Sequence, residues 1–373
     1  MTALQVARYP LIDVLKALAA QLIVLHHFSL YGPVSEALHA ALPGVVGVLY
    51  EYGLIAVQVF FVVGGYLAAR GLSSSAEPWR TPSVAIFKRY ARLLVPYLFA
   101  LCLVVLCMAF VRPWLSADLA APFPGWGQWL AHVAMVQSIL GMESLSAGVW
   151  YVAMDFQLFA LLTLLLWLCG GGHTRRAQTA VALLCMASLL VFNRQTELDA
   201  WAVYFFGAYG LGALAWWARR PSQTGQTTLP STPPLYARAL FVWTVAFGLM
   251  TLAIDFRLRV ALAIGVAVTL VFWGATASHW LTTHRKTSTL IETLSLQSYA
   301  LFLVHFPVLL LVNAGFTHFG FTAESASASS ALCWGIAGWA ASLWAANLFY
   351  RWIESPVAPW RGAFRTALRG VLG

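Results

Sequence analysis

The chain has 373 residues, of which 61% are hydrophobic and 9% charged, whereas about a quarter of the residues in soluble domains carry charge. That composition excludes an ordinary soluble enzyme and places the chain in lipid. A formal charge of +9 would suit nucleic acid if it formed a continuous basic face, but the lysines and arginines fall in short clusters between apolar runs, which points to membrane topology instead.

Apolar runs long enough to cross a hydrocarbon core as helices predict spans at roughly 11–31, 45–70, 91–112, 147–169, 178–192, 201–218, 237–254, 258–277, 296–317 and 328–352. The expected fold is therefore all-α, a polytopic transmembrane bundle of about ten spans with both termini on one side. The first run is too long for a signal-peptide core and carries Asp13 and Lys16, so it reads as a retained span. With a cytoplasmic N-terminus, one side collects Arg70, Arg80, Lys88, Arg89, Arg92, Arg175, Arg176, Arg219, Arg220, Arg238, Arg285 and Lys286. The other keeps Arg112, Arg194, Arg257 and Arg259, an asymmetry that makes both termini cytoplasmic.

Residues 1–373 read as a single membrane-embedded domain, interrupted by a flexible cytoplasmic loop at about 219–238 that is rich in Pro, Ser and Thr. The longest outer loop, 113–146, carries Trp114, Trp126 and Trp129, suited to the membrane interface or to stacking on a sugar. Arg361, Arg365 and Arg369 recur every four residues opposite Phe364 and Leu368, the pattern of a short helix lying on anionic lipid. The five cysteines fall within or at the ends of apolar runs and read as packing residues rather than disulfide partners.

Ionisable groups inside a bilayer are costly and need a partner or a function. Lys16 and His27 lie eleven positions apart, which returns to nearly the same helix face, and they share a stripe with Asp13. A cation at one end of such a stripe can hold an anionic donor, while a histidine at the other can take a proton from a hydroxyl. Equally, Lys16 can pair with Asp13, and His26 or His27 can hydrogen-bond to a backbone carbonyl.

In FKRYARLLVPY, Arg89 and Arg92 stand at i and i+3, facing the same way, either as a phosphate clamp or as topology anchors. Asp155 in VWYVAMDFQLFAL and His305 in LFLVHFPVLLL are the remaining intramembrane ionisable groups of interest. Either can orient His27, or each can pair locally. Adjacent helix positions diverge, so His26 and His27 do not make a metal site, and no metal is expected.

Six segments in order resemble the acyltransferase-3 family of membrane O-acyltransferases, which includes enzymes that acetylate bacterial surface polysaccharides. LIDVLKALAAQLIVLHHF is similar to the family opening in which Arg or Lys precedes His by ten intervening residues, met here by Lys16 and His27. VFFVVGGYL resembles FFVISGYL with Gly64 in place of serine, and FKRYARLLVP resembles an Arg-x-x-Arg signature carried by Arg89 and Arg92. WYVAMDFQLF is similar to W-x-L-x-x-E-x-Q-F-Y with Asp155 in place of glutamate, SYALFLVHFPVLL to SYxLYLxHxP, and FYRWIESP to the closing YRFIERP.

The resemblance implies a multi-pass enzyme of the bacterial cytoplasmic (inner) membrane, of the form without an added extracytoplasmic domain. Its donor would be a cytoplasmic acyl-CoA, most often acetyl-CoA, and its acceptor a hydroxyl of a glycan or glycolipid, with membrane lipids as the other partners. His27, Asp155 and His305 are then the expected catalytic residues, and Lys16, Arg89 and Arg92 the expected donor-binding ones. The other classes left open are a transporter or permease using the same buried charges, and a non-catalytic scaffold of the same fold.

Overall fold

The computed structural model describes residues 9–74, 81–172, 174–219, 234–274 and 284–355. The basic helix expected at 361–369 and most of the loop expected at 219–238 lie outside them. Among the described residues the regular structure is helical. Eight segments are long and apolar enough to cross a membrane, as the composition demands of a chain whose backbone must satisfy its own hydrogen bonds in lipid.

In chain order the helices are α1 (Pro10–Leu30), α2 (Pro33–Ala41), α3 (Pro43–Tyr52), α4 (Val57–Ser74), α5 (Pro82–Val111), α6 (Trp126–Val133) and α7 (Val149–Leu168). They continue as α8 (Arg175–Leu190), α9 (Ala202–Ala218), α10 (Pro234–Ile254), α11 (Leu258–Phe272), α12 (Arg285–Leu296), α13 (Ser298–His318) and α14 (Ala328–Phe349). Eight of the ten expected spans coincide with the long apolar helices. The runs expected at 201–218 and 258–277 are the shorter α9 and α11, of 17 and 15 residues. Protein surrounds α9, which is buried over most of its length. The long loop expected at 113–146 is not wholly irregular, since it contains α6. All five cysteines are free, and Cys102 and Cys333 are exposed.

The described chain forms two compact units that interleave in sequence. One comprises residues up to Ala19, Ile55–Arg89 and Ala153–Ser295. In it α4 packs along α9, and α8, α10 and α11 complete the surround of α9. Glycines set that closeness. A Cβ on Gly65 would collide with the Tyr209 carbonyl, and one on Gly212 with the Val62 carbonyl, so the two backbones touch where side chains would hold them apart.

The α8–α9 contact is secured by Ser188, whose hydroxyl donates to the Val203 carbonyl at 2.7 Å and accepts from the Gly207 N–H at 2.9 Å. Arg257 donates to Asn193 Oδ1 at 2.9 Å and to the Leu189 carbonyl at 2.6 Å, and Arg259 donates to the Asn193 carbonyl at 2.7 Å. These bonds tie the α10–α11 turn to the end of α8 and give Arg257 and Arg259 a structural role.

The second unit comprises Ala20–Leu54, Tyr90–Val152 and the residues from Leu296 onward. In it α13 packs on α14, and α2 on both. Val34, Ala37, Phe316 and Ala331 form an apolar core joined by Trp334 and Phe321. In the loop that contains α6 the buried His132 donates from Nδ1 to the Gln128 carbonyl at 2.8 Å and accepts at Nε2 from the Leu145 N–H at 3.2 Å. This arrangement needs a neutral ring, which burial favours by lowering its pKa. Trp126 remains 85% exposed.

Because α4 and α9 meet through glycine, Gly65→Ala or Gly212→Ala forces the helices apart, at a cost of roughly 1–3 kcal/mol typical of overpacking. Gly71, where an added Cβ meets nothing within 4 Å, is the control. Thermal unfolding in lipid nanodiscs is expected to show both of the first variants clearly destabilised and Gly71→Ala unchanged or slightly stabilised.

Candidate active site

His27 lies near the end of α1 and His305 in the middle of α13, both buried. His27 Nδ1 is 2.7 Å from His305 Nε2, with the ring centroids 4.8 Å apart and the planes 7° from parallel. His305 Nδ1 is 2.9 Å from the Leu301 carbonyl. A carbonyl only accepts, so His305 Nδ1 carries a proton. In the neutral ring His305 Nε2 is then a lone pair, and His27 Nδ1 must donate to it. The consequence is that His27 holds its own lone pair at Nε2, the atom of the ring that can accept a proton from a substrate.

Backbone and packing hold this pair in place. Asn313, two turns beyond His305 on α13 and fully buried, accepts from the Val34 N–H at 2.9 Å and donates to the Tyr31 carbonyl at 3.3 Å and to the Leu309 carbonyl at 3.0 Å. It thereby fastens the α1–α2 turn to the helix that carries His305. Gly32 in that turn has φ 85°, and a Cβ there would run into the Asn313 side chain. At the start of α7, Gly148 lies against His305, where an added Cβ would come within 3.2 Å of Cε1 and collide with the Phe302 carbonyl. The neighbouring His26 is engaged elsewhere: its Nδ1 donates to the Leu49 carbonyl at 2.9 Å, and Gly53 packs against its Cβ.

The other unit holds the expected acid. Asp155 on α7 is buried and forms an ion pair with the Arg89 guanidinium of α5. The Arg89 guanidinium also lies 5.4 Å from the centre of the Phe159 ring, one helical turn beyond Asp155. Tyr209 of α9, fully buried, lies beside the same carboxylate. A Cβ on Gly64 would come within 3.1 Å of both Asp155 Oδ1 and Tyr209 Cε2. Gly64 and Asp155 are thus spatial neighbours.

Lys16 is half-buried on α1, and Arg92 is exposed on α5. Asp13, which shares the Lys16 stripe, accepts from Ser295 Oγ at 2.6 Å. The structure therefore brings His27 to His305 and Arg89 to Asp155. Sequence reasoning did not single out Asn313, Gly148, Tyr209 or Phe159. Asn313 alone carried a readable signal, a polar residue in the middle of an apolar run. Among the described residues no cluster of His, Cys, Asp or Glu is arranged to hold a metal ion.

Replacing Asn313 by Leu leaves the Val34 N–H and the Tyr31 carbonyl without that partner, a loss of roughly 1–3 kcal/mol for buried polar groups. The expected outcome is faster hydrogen exchange at Val34 and its neighbours and a lowered unfolding temperature, both measurable in nanodiscs. Unchanged exchange there would show that Asn313 does not fasten the turn.

A family model for an acyltransferase domain matches residues 9–351, nearly the whole chain. No curated protein and no solved structure matches it. The match runs through both units and takes in the helices that carry His27, Arg89, Asp155 and His305, and by it the chain belongs to the acyltransferase-3 family of membrane acyltransferases.

Proposed function

We propose that this protein is an O-acyltransferase of the bacterial inner membrane that moves an acyl group, in the first instance acetyl, from cytoplasmic acyl-CoA to a hydroxyl of a glycan or glycolipid. The observation that carries the reading is the hydrogen-bonded series from Leu301 through His305 to His27, which leaves a basic lone pair on His27 Nε2. A hydroxyl is too weak a nucleophile to attack a thioester unaided, and a neutral imidazole is suited to receive its proton near neutral pH.

In this scheme His27 Nε2 takes the acceptor proton as the acceptor oxygen bonds to the thioester carbonyl carbon. The tetrahedral intermediate collapses by breaking the C–S bond. The leaving thiolate recovers the proton from the His27 imidazolium, yielding free coenzyme A and the ester. While charged, His27 is stabilised by its Nδ1–H bond to His305 Nε2, so His305 is a positioning residue. Lys16, Arg89 and Arg92 are proposed to hold the anionic donor through charge-assisted bonds to phosphate. Asp155 forms an ion pair with the Arg89 guanidinium, which supports reading it as the partner that orients this donor-binding arginine.

The test is release of free coenzyme A from radiolabelled acetyl-CoA by the purified protein in nanodiscs. His27→Ala is expected to lower turnover by about 10²–10⁴-fold, the usual contribution of a general base, with donor binding retained. His305→Phe removes the acceptor for His27 Nδ1–H and lowers turnover, whereas His305→Gln, which can still accept that proton, is expected to keep more of it. Wild-type protein that is folded yet neither binds nor consumes acyl-CoA would overturn the assignment in favour of a transporter or scaffold.

A further inference from the structure

Outside the residues used so far, the first unit contains a second group of cations. Arg70, near the end of α4, places its guanidinium carbon 4.6 Å from the centre of the Tyr9 ring. Arg219, immediately after α9, places its own 5.2 Å from the same centre. The two distances together bound the separation of the charges at 9.8 Å. Among the described residues no carboxylate pairs with either.

The arrangement is built rather than incidental. Arg219 Nη1 donates to Tyr66 Oη at 2.9 Å, and Tyr66 is fully buried. Its ring is held edge-on by Tyr9 at 5.9 Å and by Trp216 at 5.4 Å. Since Tyr66 Oη accepts from Arg219, its own proton is available to a further acceptor. Arg219 and Tyr66 line a small open cleft together with Tyr9, Leu11, Ile12, Leu270 and Gly274. A Cβ on Gly274 would lie 3.3 Å from Arg219 Nη2, so a glycine there spares the guanidinium a close contact. Two like charges no more than 9.8 Å apart, one of them bonded to a tyrosine hydroxyl, are stabilised by an anion placed among them.

We propose that Arg70, Arg219 and the Tyr66 hydroxyl, gathered around Tyr9, form a binding site for a phosphoryl group. Two sources carry that chemistry: the nucleotide end of a phosphate-bearing donor, which rests on the function proposed above, and the headgroup of an anionic phospholipid, which does not. Arginine rather than lysine suits either, because its planar fork engages two phosphate oxygens and its face stacks on tyrosine.

The experiment compares wild type with Arg70→Gln/Arg219→Gln and with Tyr66→Phe, which keeps the ring contacts and removes only the hydroxyl. One arm titrates adenosine 3′,5′-bisphosphate, with adenosine as the unphosphorylated control, into protein in nanodiscs of neutral lipid. The other records phosphatidylglycerol retained on the protein by native mass spectrometry. For the donor source, wild type binds the bisphosphate and not adenosine, and the double variant binds at least about tenfold more weakly, the loss expected for one charge-assisted hydrogen bond. For the lipid source, phosphatidylglycerol adducts persist on wild type and are lost in the double variant. Tyr66→Phe is expected to weaken whichever ligand binds, and it decides the matter should the double variant fail to fold. Folded variants that bind both probes as wild type does, or a wild type that binds neither, would overturn the site. Retention of lipid without any binding of the bisphosphate would support the site and count against the donor reading alone.

Discussion

The hydrogen bond from His305 Nδ1 to the Leu301 carbonyl governs the chemistry of the histidine pair, because a backbone acceptor cannot exchange roles with its donor. It fixes the His305 tautomer, which fixes that of His27 across a 2.7 Å contact, and the lone pair is thereby left on His27 Nε2. Away from bulk water there is little solvent to rescue a misplaced proton, so the pair depends on protein groups for its protonation state. Two contacts within the second unit help to hold the pair. Asn313 fastens the end of α1 to α13, and Gly148 lets the start of α7 come up against His305 without displacing it.

The first unit applies the same economy of space to a different end. Gly65 and Gly212 let α4 and α9 touch backbone to backbone, and the adjoining Gly64 leaves room for Tyr209 and Asp155 beside one another. A serine at position 64 would bring its side chain to the carboxylate that holds Arg89. The absence of a side chain at Gly64 thus seats the Arg89–Asp155 pair against the Tyr209 ring. Buried ion pairs of this kind contribute more to geometry than to stability, since desolvation offsets much of their attraction.

Much of the fold was legible because lipid imposes it. Apolar runs of sufficient length gave the spans, and only α9 and α11 are shorter than that pattern suggested, since other helices rather than lipid cover α9. His27 and His305 stood out as polar residues in apolar runs. That His305 meets His27 was not legible, because helical periodicity reports one segment at a time. The contact with His305 spans 278 positions, and that between Arg89 and Asp155 spans 66. Tyr209, Phe159 and Gly148 were hidden for the same reason, since a tyrosine, a phenylalanine or a glycine in a hydrophobic helix carries no mark of what it faces. Arg70 and Arg219 were read as topology signals, and what distinguishes them is their shared contact with Tyr9 and the Arg219–Tyr66 hydrogen bond.

The most direct test of the central claim is the tautomeric state of the two histidines in the resting protein, read from nitrogen-15 chemical shifts of histidine-labelled protein in lipid bilayers, with His27→Ala and His305→Gln used to assign the signals. The account predicts that both rings are neutral and protonated at Nδ1, with an unprotonated Nε2 on His27. A resting His27 protonated at Nε2 would contradict it, because the atom assigned to take the acceptor proton would already be occupied.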